Sequence, residues 1–167
     1  MEMRSSLMLW AALSCALTIF ATPVFAAIAG QPDAADVKTV DACLADAAKT
    51  KGDPDICIGH VSNDCMANAQ ATATKEACSS RELLVWTAAL NRDFAKLMTL
   101  LIDDNAKRVL RDAQRDFFVA TLKRCTFERL AHKDSAASLV AAGQCDMRAT
   151  AQQDLWLLEQ IGSFSSP

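Results

Sequence analysis

Six cysteines, at positions 43, 57, 65, 78, 125 and 145, follow the first thirty residues of this chain, and nothing else in the sequence constrains its fold as strongly. An even cysteine count in an exported chain is what an oxidising compartment converts into disulfides, here three of them. The spacings contain no C-x-x-C. They therefore support neither a thioredoxin-like redox pair, a haem attachment site nor a zinc knuckle. No metal and no cofactor is expected.

The export reading rests on the first twenty-six residues. Arg4 precedes a nearly unbroken apolar run from Leu7 to Phe20, Pro23 ends it, and Val24-Phe25-Ala26 offers small or modest side chains where a signal peptidase inspects the chain. The expected leader is 1–26, with Ala27-Ile28-Ala29 as a second cut site. The apolar stretch through Phe25 approaches the roughly 20 residues that cross a bilayer. An uncleaved anchor is the alternative. Cys15 does not fit a lipoprotein acceptor, because apolar residues continue past it and Ala12 stands where a lipobox usually has Leu. The expected product is a single domain over 27–162 with a flexible tail over 163–167, periplasmic or secreted, without a stable membrane span.

The chain has 17 Lys and Arg against 20 Asp and Glu, a formal charge of −3 and a pI near 5.3. Removing the leader takes Glu2 and Arg4 together, so that charge is unchanged. Mild acidity argues against nucleic acid, whose binders usually cluster basic side chains on one face. It weakly favours a basic partner.

Apolar periodicity is helical almost throughout and predicts an all-α fold. Asp36 to Lys49 reads as a first helix started by Asp36, Lys51-Gly52-Asp53-Pro54 as a turn, and Pro54 to about Ala69 as a second helix weakened by Gly59. Thr72 to Thr74 marks a break with Thr74 as cap. Leu83, Trp86, Leu90, Phe94, Leu97 and Leu101 then recur every three or four residues and give a third helix from about Lys75 to Asp104. A fourth, ending near His132, is assigned the face Leu110, Ala113, Phe117, Ala120 and Arg124. Asp134 or Ser135 starts the last, with Leu139, Ala142, Cys145, Leu155 and Leu158 on its inner side and fraying at Gly162.

Residues equally distant from the turn of an antiparallel helix pair lie opposite one another. Cys125 and Cys145 are centred on 135, Cys65 and Cys78 near Ala71, and Cys43 and Cys57 near Thr50, each at an expected break. Each bridge would then clip one helix-turn-helix. The alternative joins Cys43 with Cys65 and Cys57 with Cys78, because cysteines eight apart on one helix face similar directions. The expected architecture is a compact bundle of about five helices in antiparallel hairpins stapled by three disulfides.

Cys78, Glu82-x-x-x-Trp86-x-x-x-Leu90-Asn91-x-x-Phe94, then Ala113-Gln114-Arg115 with Phe117, and Cys125 followed by Cys145 and Thr150, resemble the LprI-type lysozyme-inhibitor N-terminal domain family over roughly Cys43 to Leu158. The resemblance implies an exported, disulfide-containing helical domain and, from the name-giving member, an inhibitor that docks on lysozyme. Thr87, Phe117, Thr121, Leu122 and Gln153 depart from the residues usual in that family. A general module that binds another envelope protein or a cell-wall fragment is the alternative.

From the residues themselves, Trp86, Leu90 and Phe94 are expected in the core. Glu82 and Arg115 are expected to pair between helices, with contact to a ligand as the alternative, and Asn91 and Gln114 to satisfy helix ends. No catalytic residue is expected. His60 and His132 lie in no H-E-x-x-H or nucleophile-elbow setting, and Asp103 with Asp104 reads as a solvated pair.

Overall fold

A computed structural model of the chain describes residues 30–132 and 135–165. Among them are five α-helices, one 3₁₀ turn and no strand: α1 (Ala34–Thr50), the 3₁₀ turn (Pro54–Cys57), α2 (His60–Ala67), α3 (Thr72–Leu100), α4 (Asp104–Ala131) and α5 (Ser135–Ser165). The expected leader lies outside the described residues, as do Asp134 and the last two residues of the expected tail. No described helix is long and apolar enough to cross a membrane.

Local chemistry sets the boundaries. Asp33, not Asp36, caps α1, its carboxylate accepting from the Ala35 N–H at 2.7 Å. Asp36 is buried instead and takes both prongs of the Arg81 guanidinium, at 2.6 and 3.0 Å, which ties α1 to α3. Lys51 ends α1 in the left-handed region.

The expected second helix is divided. Pro54 opens only a four-residue 3₁₀ turn capped by Asp53, and the chain breaks at Gly59, whose φ of +98° is one that L side chains rarely adopt. The third helix starts at Thr72, two residues before the expected cap Thr74, and its own cap position, Ala71, makes no side-chain bond. It ends at Leu100 rather than Asp104, because Asp103 caps α4 by accepting from the Asn105 and Ala106 N–H groups. Asp103 is thus a cap. The last helix continues past Gly162 to Ser165.

Helix α5 runs parallel to α3 and antiparallel to α4, and it makes the closest packing with both. Near the α1 end, Val40, Val61, Val85, Trp86, Met147 and Ala151 form one buried cluster. Toward the other end, Leu90, Leu97, Leu110, Leu157 and Ile161 form a second. At Gly143 of α5 an added Cβ would come within 3.3 Å of the Ser79 Cβ, so the absence of a side chain there permits close approach to α3. The expected stripe on α3 is the packed one, with Trp86, Leu90 and Leu97 buried and Leu83, Phe94 and Leu101 partly so.

The expected stripe on α4 is not. Leu110, Gln114, Thr121 and Cys125 are the buried positions, while Ala113, Ala120 and Arg124 face solvent. On α5, Met147, Ala151 and Leu157 carry the contact, whereas Leu139 is largely exposed.

All three disulfides take the sequential pairing. Cys43–Cys57, Cys65–Cys78 and Cys125–Cys145 have Cα separations of 5.7, 5.6 and 5.4 Å. They clip α1 to the 3₁₀ turn, α2 to α3, and α4 to α5. Closing loops of this size stabilises by roughly 3 kcal/mol each in the chain-entropy description. Replacing Cys125 and Cys145 together by Ser is therefore expected to lower unfolding stability by about 2–4 kcal/mol, read as a lower urea midpoint. An unchanged midpoint would contradict the assignment of a stabilising staple.

Candidate functional site

Glu82 is fully buried, one turn before Trp86 on α3, and its carboxylate is surrounded by donors. The Gly59 N–H donates to Oε1 at 2.6 Å, the Val61 and Ser62 N–H groups to Oε2 at 3.0 and 2.7 Å, and the Trp86 Nε1–H to Oε1 at 2.9 Å. Gly59 occupies the cap position of α2 and has no side chain to cap with. A carboxylate from α3 does that work from outside, satisfying the N2 and N3 amides and meeting the positive end of the helix dipole. The burial of its charge is offset by four hydrogen bonds.

Arg115 is nowhere near it. Its guanidinium is exposed on α4 and pairs with Asp112 at 3.2 Å and Asp116 at 3.5 Å, so the expected Glu82–Arg115 pair does not form. Asn91 is also exposed and satisfies no helix end. Gln114 is buried, but its partner is a side chain, Gln153 Nε2 donating to its Oε1 at 3.1 Å. Trp86 and Leu90 are core residues and Phe94 flanks the core; Phe117 is half-buried, its ring 5.5 Å from that of Phe118. The motif residues thus do not gather at one surface.

A second buried polar group was not legible as a motif. Asp93 on α3 and Asp154 on α5 lie between the two apolar clusters, 3 % and 0 % exposed. Asp93 accepts from Arg92 Nε at 3.0 Å and Nη2 at 2.8 Å. Neither oxygen of Asp154 meets a donor among the described residues. Burial, then repulsion from the Asp93 charge, pushes the Asp154 carboxyl up to about 7, with Arg92 opposing. A proton on Asp154 supplies the missing donor.

The concave regions are shallow. A polar groove of about 330 Å³ between α4 and α5 is lined by Arg124, Glu128, Gln144 and Arg148. An apolar notch of about 340 Å³ is lined by Leu97, Leu110, Trp156 and Phe164. Neither brings a nucleophile to a general base. His60 lies 3.8 Å from the bonded sulfur of Cys43, and His132 lies 4.0 Å from Glu128. Among the described residues, no group of three or more His, Cys, Asp or Glu is placed to hold a metal. Large apolar side chains of α4 are exposed, among them Leu122, Phe127 and Leu130.

The family model of the lysozyme inhibitor LprI matches residues 65–157, more than half of the chain. The chain belongs to the LprI family. Neither a curated protein nor a solved structure matches it. The LprI match begins at Cys65 in α2 and ends at Leu157 in α5, so the first disulfide and α1 lie before it. Within it, Glu82 and Trp86 form one internal hydrogen-bonded unit. Of the positions expected to depart from the family pattern, Thr121 is buried, Thr87 and Phe117 are half-buried, Gln153 bonds Gln114, and Leu122 is open to solvent. Family membership and three disulfides fit an extracytoplasmic protein.

Two outcomes follow from these buried acids. Glu82→Gln keeps the shape but turns an amide donor toward backbone donors, and is expected to cost about 2–4 kcal/mol in urea unfolding. A loss below about 0.5 kcal/mol would contradict the capping role. For Asp154, the folded protein holds a proton that the unfolded chain releases near 3.8, so stability falls as pH rises from about 4 to about 7 and the loss is complete above that. Asp154→Asn should flatten this slope and unfold at a higher urea concentration than the wild type at pH 8. An unaltered pH profile would count against the buried acid pair.

Proposed function

We propose that this chain is an exported, non-enzymatic inhibitor that docks on a lysozyme and occludes its substrate cleft. The observation that carries this reading is the match to the lysozyme-inhibitor family over α2 to α5. The expected leader, 1–26, delivers residues 27–162 as one domain to the periplasm or beyond, where the cysteines meet an oxidising environment.

The architecture supports occlusion. Blocking a cleft needs a rigid, convex body and no catalytic group. Three disulfides and the Glu82 cap limit how much order the protein must gain when it binds, which favours affinity. Its own concavities are shallow grooves along helices rather than enclosed ligand cavities, which suits a macromolecular partner better than a small molecule.

Titrating a lysozyme with the oxidised protein is expected to abolish cell-wall lysis with a one-to-one endpoint, and reduction of the disulfides should restore lysis. Full lysozyme activity at micromolar excess of oxidised protein, across lysozymes of different classes, would contradict the proposal. Retrieval of another stable envelope partner under those conditions would favour a general interaction module.

A further inference from the structure

The exposed side of α4 combines apolar bulk with positive charge in a way no other described helix does. Helix α4 has seven basic side chains, Lys107, Arg108, Arg111, Arg115, Lys123, Arg124 and Arg129, against four acidic ones, Asp104, Asp112, Asp116 and Glu128. Its balance is +3 in a chain whose total is −3, so the remainder carries −6, of which four charges belong to the buried Asp36, Glu82, Asp93 and Asp154. Helix α3 has an excess of only one, and its Arg81 and Arg92 are tied to Asp36 and Asp93.

The packed stripe of α4 is Leu110, Gln114, Thr121 and Cys125. At 100° per residue, Val119 and Leu130 fall on the opposite side, with Phe127 on one flank and Leu122 on the other, where it borders α5 beside Ala142 and Asp146. Leu122, Phe127 and Leu130 are 69 %, 65 % and 73 % exposed. Lys123 lies within this band and Arg129 at its α5 side, about 9 Å apart along the axis and about 120° apart around it. Neither makes an ion pair with a described residue, whereas Arg108 and Arg115 are engaged with Asp112.

We propose that the Val119 to Leu130 face of α4 is the surface that enters the lysozyme cleft, with Lys123 and Arg129 directed at its catalytic carboxylates and the apolar band against its sugar-binding walls. This rests on the reading of the protein as a lysozyme inhibitor and names the surface involved. Glycoside hydrolysis generally uses two carboxyl groups about 5–9.5 Å apart and passes through a transition state with positive charge on the sugar. Two unpaired cations on one helix supply charge opposite to those carboxyl groups. The apolar side chains between them exclude water, which strengthens each charge contact.

The test compares four proteins in the lysozyme titration: wild type, Lys123→Glu with Arg129→Glu, Leu122→Ser with Leu130→Ser, and a control with Lys38→Glu and Lys96→Glu, which makes the same charge change on exposed positions of α1 and α3. Both α4 double variants are expected to inhibit at least about 30-fold more weakly, while the control stays within about threefold of wild type. Unchanged unfolding midpoints for the α4 variants verify that their fold is intact. A lysozyme with both catalytic carboxyls converted to amides should bind wild type more weakly and discriminate less against the Lys123→Glu, Arg129→Glu protein. Inhibition by wild type that survives both α4 double variants overturns the assigned surface and leaves the inhibitor reading standing. No inhibition by wild type overturns both. Capture of the α4 face by vesicles of anionic phospholipid, with lysozyme unaffected, overturns both in favour of a membrane surface.

Discussion

A single carboxylate organises the part of this molecule that local sequence preference leaves undecided. Helix α2 is eight residues long, too short to persist alone, and Gly59 leaves its first amides without a cap. Glu82 supplies that cap from α3 and at the same time accepts from the Trp86 indole, so the entry of α2, the left-handed turn at Gly59 and the core tryptophan are fixed together. The Cys65–Cys78 bridge closes the other end of α2 onto the same helix. Held at both ends, α2 has one orientation on α3.

The second organising feature opposes stability. Asp93 and Asp154 place two carboxyl groups between the apolar clusters of α3 and α5, where only one is fully served, by Arg92. Burying the other is tolerable while it carries a proton. Packing that includes such a layer depends on the covalent staples more than an all-apolar interface would.

The disulfide pairing was legible because symmetry about a turn is a geometric property of helical hairpins, and Cys125 with Cys145 satisfies it about 135. The α3 stripe was legible because its apolar residues coincide with the buried ones. The α4 face was not, since buried polar residues, Gln114 and Thr121, alternate with exposed apolar ones, Leu122 and Leu130, and periodicity alone cannot tell which side packs. The break at Gly59 depends on a residue 23 positions away. The candidate surface was hidden for the same reason: the motif of Glu82, Trp86 and Leu90 is internal, and the α4 residues outside it are the exposed ones.

Glu82, Trp86 and Leu90 belong to the internal framework, apart from the α4 surface proposed to meet lysozyme. Competition with a soluble chito-oligosaccharide tests this most directly: lysozyme is saturated with the oxidised protein and titrated with the sugar while both bound fractions are followed. The account predicts mutual exclusion, with the apparent affinity for the protein falling in proportion to sugar occupancy. A ternary complex in which sugar and protein bind lysozyme together, each with its affinity unchanged, would contradict it.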